Sequence, residues 1–214
     1  MARVLVIGAN GQIGKHLVSK IKEKGHDPVA MVRKEEQVSQ FKEQDIETVL
    51  GDLEKDFSHA FENVDTVVFA AGSGPHTGAD KTIIIDQEGA IETIDNTISK
   101  GIKNFVMLSG LPVDGPKGTG DGMKPYFYAK YRADQYLQDT DLNYTILRPG
   151  LLTDKDETGK VQIVEHDEAS SDATSGEVPR ADVAEVLAHI VDQNDLKSQI
   201  YYLIGGDTDI KDAL

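Results

Sequence analysis

The stretch VLVIGANGQIGKHL, residues 4–17, constrains the chain more tightly than any other. A short apolar run, too brief for anything but a strand, feeds three glycines and then a helical pattern. Each glycine has a separate physical task. Gly8 permits the tight turn, Gly11 lets backbone approach a pyrophosphate, and Gly14 lets the helix lie close on the strand. The helix N-terminus adds unpaired N–H groups and a partial positive charge. A glycine-rich turn without a ligand is the plainer alternative. The order strand, glycines, helix is the context that favours a dinucleotide, and it makes the interleaved Asn10, Gln12 and Ile13 candidate contacts as well.

Downstream, β-rich runs alternate with amphipathic helical patterns. The runs are 3–7, 28–32, 46–50, 65–70, 104–108, 142–147 and 199–204. Several are continuously apolar, as strands covered on both faces should be. Ile13, Leu17 and Ile21 predict one helix ending near Gly25. Ile84, Ile91, Ile94 and Ile98 predict another ending near Gly101, and Val183, Val186, Leu187 and Ile190 a third after Pro179. This alternation implies an α/β fold, a doubly wound parallel sheet flanked by helices, and 214 residues suit a single domain over 1–214. Two loops interrupt the rhythm. Residues 110–124 hold five glycines and two prolines, and within 153–177 eight acids face two lysines around one strand-like run, KVQIVEH. Loops of that length in one domain are usually functional or disordered.

Charge and composition exclude several classes. The net charge of −15 opposes nucleic acid and anionic membrane surfaces, both polyanions. No cysteine is present, which removes disulfides and thiolate chemistry. The apolar N-terminal run is too short for a signal-peptide core and no other run approaches membrane-spanning length, so the cytoplasm is the expected location. The six histidines lack paired ligand spacing, and no metal is expected. Of these, His76 and His166 fall in loops that border the expected cleft.

At the end of the second strand, Arg33 and Lys34 stand where an acid would accept a ribose 2′-hydroxyl. Cations there suit a 2′-phosphate, so NADP is expected over NAD; two solvated surface charges are the alternative.

The segment PYFYAKYRADQYL, residues 125–137, raises a different question. Side chains four apart on a helix share a face. Tyr126 and Lys130 continue to Ala133 and Leu137, whereas Tyr128 and Arg132 continue to Gln135 and Asp139. The apolar continuation predicts that Tyr126 and Lys130 face the core and cleft. A tyrosine hydroxyl titrates near ~10, and an adjacent ammonium favours its phenolate, which suits proton transfer. Aromatic packing beside a snorkelling lysine is the bland alternative.

The glycine spacing, GDL at 51–53, FAAG at 69–72, FVMLSG at 105–110, YFYAK at 126–130 and YTILRPG at 144–150 occur in order along the whole chain. Together with DVAEVLAHIVD at 182–192 they resemble the short-chain dehydrogenase/reductase superfamily, in particular its atypical, NmrA-like NAD(P)-binding "epimerase/dehydratase" members. The resemblance implies a Rossmann-like domain with a small substrate lobe, here 150–178. It implies adenine contacts from Asp52 and Leu53, a ribose flanked by Ala70, Ala71 and Gly72, and a place for Pro149 and Gly150 beside the cofactor. It also implies that Tyr126 acts as acid or base, that Lys130 both tunes it and holds the nicotinamide ribose, and that Ser109 either orients a substrate carbonyl or only ends its strand. The residues after Ser109 are Gly110 and Leu111, where such reductases often carry another hydroxyl. Three functions follow: an NADP-dependent oxidoreductase on a small carbonyl, quinone or flavin-like substrate, a non-catalytic NADP-sensing regulator, and, least favoured, a sugar epimerase. A small molecule is the expected partner, if any; monomer and dimer remain equally open.

Overall fold

The computed structural model describes residues 1–74, 77–110, 112–193 and 198–214. The glycine-flanked opening forms strand β1 (Arg3–Ile7) and helix α1 (Gln12–Glu23), followed by β2 (Asp27–Val32), the short α2 (Val38–Lys42), β3 (Glu47–Leu50) and β4 (Thr66–Phe69). A helical turn α3 (Ala79–Lys81), a π-helix (Thr82–Glu88) and α4 (Gly89–Ser99) then run on without a break. The second half holds β5 (Asn104–Leu108), α5 (Lys124–Gln138), β6 (Asn143–Pro149), β7 (Leu151–Thr153), β8 (Lys160–Glu165), β9 (Glu177–Pro179), α6 (Arg180–Asp192), β10 (Gln199–Gly205) and β11 (Thr208–Asp209).

The main sheet runs β11-β8-β10-β6-β5-β4-β1-β2-β3. From β10 to β3 every pairing is parallel; β8 joins β10, and β11 joins β8, antiparallel. This is a Rossmann-like order: successive strands are added outward in opposite directions from β1 and β4, and ligands of such sheets bind at that switch point, outside the carboxyl ends of the strands. The 150–178 stretch supplies β8 to the sheet edge, while β7 and β9 pair in a separate two-stranded sheet. Among the described residues no helix is long and apolar enough to cross a membrane.

Two apolar layers sandwich the sheet. On one face Leu17, Val18 and Ile21 of α1 pack with Val183, Val186, Leu187 and Ile190 of α6, all buried. On the other, Phe57, Phe61, Phe105, Ile94, Ala133 and Leu137 pack together. Each of these valine, leucine, isoleucine and phenylalanine side chains stabilises the fold by about 1.5–3 kcal/mol through area removed from water.

Two expectations change. In the helix predicted over 84–98, Ile84 and Ile98 are exposed, and the buried face is Ala90, Thr93, Ile94 and Thr97. The π-helix packs more residues per turn than an α-helix and breaks the expected phase before α4 begins. The threonines tolerate burial because their hydroxyls donate one turn back, Thr93 to Gly89 O at 2.6 Å and Thr97 to Thr93 O at 2.7 Å. The strand expected to end at Leu147 continues to Pro149. Arg148 can stand within the strand because it is buried with its charge matched by Asp134.

Candidate cofactor and active site

The glycine turn is built as its spacing demands. Gly8 has a φ of +87°, a conformation that side chains rarely adopt. A Cβ on it would lie 2.6 Å from both Ala70 C and Ala71 N, so the turn after β1 touches the chain leaving β4. A Cβ on Gly14 would meet Gly8 O at 2.2 Å, which is the close strand–helix approach. Gly11 differs. Its backbone is ordinary, with φ −69°, and a Cβ would meet only Gly8 O, at 3.1 Å. The fold asks little of glycine here, and the opening it leaves faces outward at the start of α1. That helix has no side-chain cap and no acid in its first turn, so its N–H groups are available to an anion. A dinucleotide pyrophosphate fits this cradle.

The remaining candidates for the cofactor line the same sheet end. The Asn10 side chain accepts a hydrogen bond from Gln40 of α2. Gln12 is exposed and Ile13 buried in the first turn of α1. Beyond β2, Gln37 Oε1 accepts from Arg33 N at 3.0 Å and Lys34 N at 3.1 Å, which shapes that loop. Lys34 pairs with Glu36 at 3.2 Å, while the exposed Arg33 guanidinium meets no carboxylate among the described residues. Asp52 accepts from Glu54 N at 3.2 Å, and Leu53 packs where a Cβ on Gly89 would stand, 3.2 Å away. Ala70, Ala71 and Gly72 leave β4 beside Gly8. Gly150 is explained within the chain: a Cβ there would meet Gly176 O at 2.4 Å, where the strand exits beneath the 170s segment. Pro149 pairs in register with Leu203 of β10.

Helix α5 presents the face its sequence predicts. Ala129, Lys130, Ala133, Asp134 and Leu137 are buried, and Tyr128 is exposed. Tyr126 is half-buried, with its hydroxyl 3.0 Å from where a Cβ on Gly110 would stand. A side chain at that position would crowd the phenol, so glycine keeps it clear at the end of β5. The Lys130 Nζ lies 5.6 Å from the centre of the Tyr126 ring.

Buried charges that motif spacing does not mark surround this pair. Lys130 is 3 % exposed and its Nζ stands 3.2 Å from Asp86 Oδ1, on the π-helix. Asp86 is 1 % exposed; its Oδ2 accepts from Ser73 N at 3.0 Å, and its Oδ1 is without an aligned hydrogen bond. Burial by itself lowers the Lys130 pKa, but Tyr126, Asp86 and Asp134 outweigh it and hold the ammonium above the ordinary lysine value. One turn on, Asp134 Oδ2 accepts from Ser109 Oγ at 2.9 Å and from Arg148 Nε at 3.0 Å. Burial pushes the Asp134 carboxyl up, and Arg148, Ser109 and Lys130 offset that only in part. Arg148 Nη1 in turn donates to Tyr202 OH at 2.7 Å.

Ser109 therefore does not offer its hydrogen to a cleft. It is buried and donates to Asp134, because a buried carboxylate is a stronger acceptor than a neutral carbonyl. His166 does not border the tyrosine either; it follows β8, which runs antiparallel to the central strands, and its ring stacks on Tyr202 at 6.0 Å. His76 lies outside the described residues, as does Leu111. Asp86 had one sequence signal, an acid directly after the apolar run TIII in a helical segment. Among the described residues no group of three histidines or acids could hold a metal ion.

A family profile described as NAD(P)H-binding matches residues 8–194, from the first glycine to two residues past α6. The chain belongs to the NAD(P)H-binding family. Within the family it is similar to "Uncharacterized sugar epimerase YhfK" of Bacillus subtilis, 38% identical over 99% of this chain and 98% of that protein. A solved structure described as a putative NAD-dependent epimerase/dehydratase from Bacillus halodurans superimposes with a TM-score of 0.93 at 46% identity, covering 99% of this chain and 97% of its own. The oxidoreductase ylbE of Lactococcus lactis superimposes with a TM-score of 0.86 at 27% identity, over 99% and 94% of the two chains. NAD(P)H-binding proteins of this atypical short-chain dehydrogenase/reductase kind thus share the whole length of the fold.

Proposed function

We propose that this NAD(P)H-binding protein is an NADP(H)-dependent oxidoreductase that reduces a small carbonyl, quinone or flavin-like substrate. The observation that carries the reading is the Tyr126 hydroxyl, held clear by Gly110 at the same sheet end as the glycine cradle, with Lys130 buried beneath its ring. When bound, a nicotinamide supplies the hydride to the substrate carbon. Tyr126 donates its phenolic proton to the oxygen on which the electron pair collects. Lys130 holds positive charge beneath the phenol while that proton leaves. Gly8, Gly11 and the first turn of α1 hold the pyrophosphate, and Arg33, which meets no carboxylate among the described residues, receives the 2′-phosphate. The oxidoreductase name of the Lactococcus relative supports this class.

A second reading, an NADP-sensing regulator without turnover, is favoured by one observation: Ser109, the second hydroxyl such a site would use, is engaged by Asp134. The sugar epimerase reading, carried by the name of the Bacillus subtilis relative, is opposed by the acidic 153–177 stretch, which repels a nucleotide diphosphate.

The test is a screen of carbonyl, quinone and flavin substrates with NADPH, repeated on Tyr126→Phe. The oxidoreductase reading expects turnover that falls by about 10²–10⁴ in the variant, with the fold intact. Undiminished turnover in that variant makes the tyrosine mere packing. Tight NADPH binding with no turnover on any substrate selects the regulator. Gly11→Val should abolish cofactor binding while circular dichroism stays unchanged.

A further inference from the structure

Nothing in the tyrosine–lysine spacing asks for a carboxylate, yet the fold buries one against the lysine. Asp86 and the Lys130 side chain are almost wholly excluded from water and stand 3.2 Å apart. Isolating either charge at that depth is strongly unfavourable, so the two are retained as a pair. The surroundings hold the carboxylate at one oxygen and leave room for the other. Ser73 N donates to Oδ2 at 3.0 Å, and Oδ1 lies 3.2 Å from where a Cβ on Gly72 would stand. The segment that delivers it, Thr82–Glu88, is a π-helix, a costly departure from α geometry that is frequent at functional sites.

The electrostatic consequence falls on Tyr126. An unopposed ammonium favours the phenolate; a carboxylate against that ammonium cancels part of its field. We propose that Asp86 is a positioning residue that fixes Lys130 beneath Tyr126 and opposes its charge, so that the ammonium pulls less strongly on the phenolic oxygen. The inference rests on the oxidoreductase reading and names the group that sets the field at its tyrosine. The other charges packed about α5 do not replace Asp86. Asp134, on the same helix, is held by Arg148 and Ser109; Lys124 is bound to Asp121 at 2.6 Å, and Lys117 is exposed. The neighbouring tyrosines of α5, Tyr128 and Tyr131, lie outside its buried face.

A charge cycle read by near-ultraviolet phenolate absorbance tests this on the whole protein, without cofactor or substrate. The Tyr126 contribution is the difference between each protein and its Tyr126→Phe counterpart. Asp86→Asn should move that titration to lower pH by about one pH unit. Lys130→Met should move it to higher pH, and Asp86→Asn/Lys130→Met should return it close to wild type. An Asp86→Asn titration that stays in place or rises overturns the proposal. Should that variant fail to fold, Asp86→Ser takes its place: its Tyr126 titration must also move to lower pH, and one that stays in place or rises overturns the proposal. A failed cycle removes the role of Asp86 alone, whereas undiminished turnover in Tyr126→Phe removes the oxidoreductase reading.

Discussion

The half of the molecule around β1–β4 and the half around β5, β6 and α5 hold themselves together by different physics. In the first, close backbone approach at Gly8 and Gly14 and dry packing of Leu17, Val18 and Ile21 do the work. Among the described residues every fully buried carboxylate, lysine and arginine lies after β4: Asp86, Lys130, Asp134, Arg148 and Asp182. The first half is therefore a shape that receives charge from a ligand. The second is a preassembled set of charges that a ligand meets. Apolar packing tolerates error in increments, whereas a buried ion that loses its partner is left with its full desolvation penalty.

The sharpest way to break this contrast is at Arg148. Arg148→Met leaves Asp134 buried and opposed only by Lys130 and Ser109, and should lower stability by about 3–5 kcal/mol in urea unfolding. Asp134→Leu/Arg148→Met should recover most of that loss. A single variant as stable as wild type would mean that the second half is not held by its charges.

A smaller effect belongs to the first half. Arg33→Asp should leave unfolding unchanged, since the guanidinium meets no carboxylate among the described residues, but should weaken NADPH relative to NADH. Loss of one charge-assisted contact, about 1.5–3 kcal/mol, makes that change tenfold or more by calorimetric titration. Equal affinities of the wild type for the two cofactors would remove the NADP assignment.

The smallest effect tests the seam between helices α1 and α6. Glu185 bridges Lys20 at 3.0 Å and Lys24 at 2.9 Å. Burial raises its carboxyl, but the hydrogen bonds from Lys24 and Lys20 outweigh that and leave it below the ordinary glutamate value. A folded pKa that is lowered contributes stability above the unfolded value and loses it as pH falls through the folded one. Glu185→Gln should therefore cost about 0.5–1 kcal/mol at neutral pH. The two proteins should converge in acid below the usual glutamate range; a gap that persists there would assign the effect to packing.

The same contrast explains what was legible in the sequence. Gly8, Gly11 and Gly14, the seven parallel strands and the inward face of α5 are written in local spacing, and the fold follows them closely. The pairings Asp86–Lys130 and Asp134–Arg148 are not local, and motif spacing carries no trace of them. What the sequence does show is each charge out of place: Asp86 after three isoleucines, Arg148 at the end of an apolar strand. Ser109 was visible as a residue, but the direction of its hydroxyl depends on Asp134 and was not.

The π-helix of Thr82–Glu88 has a consequence for how this chain can change length. A π-turn holds one residue more than an α-turn over nearly the same rise. Removing one exposed position, Ile83 or Ile84, would let the backbone relax into ordinary α-helix at little cost to the core. That relaxation would also change the angle at which Asp86 leaves the helix axis, and so its aim at Lys130. The surface position is thus interchangeable in kind but not in number: substitutions at Ile83 are absorbed, whereas a single deletion there reaches the buried site.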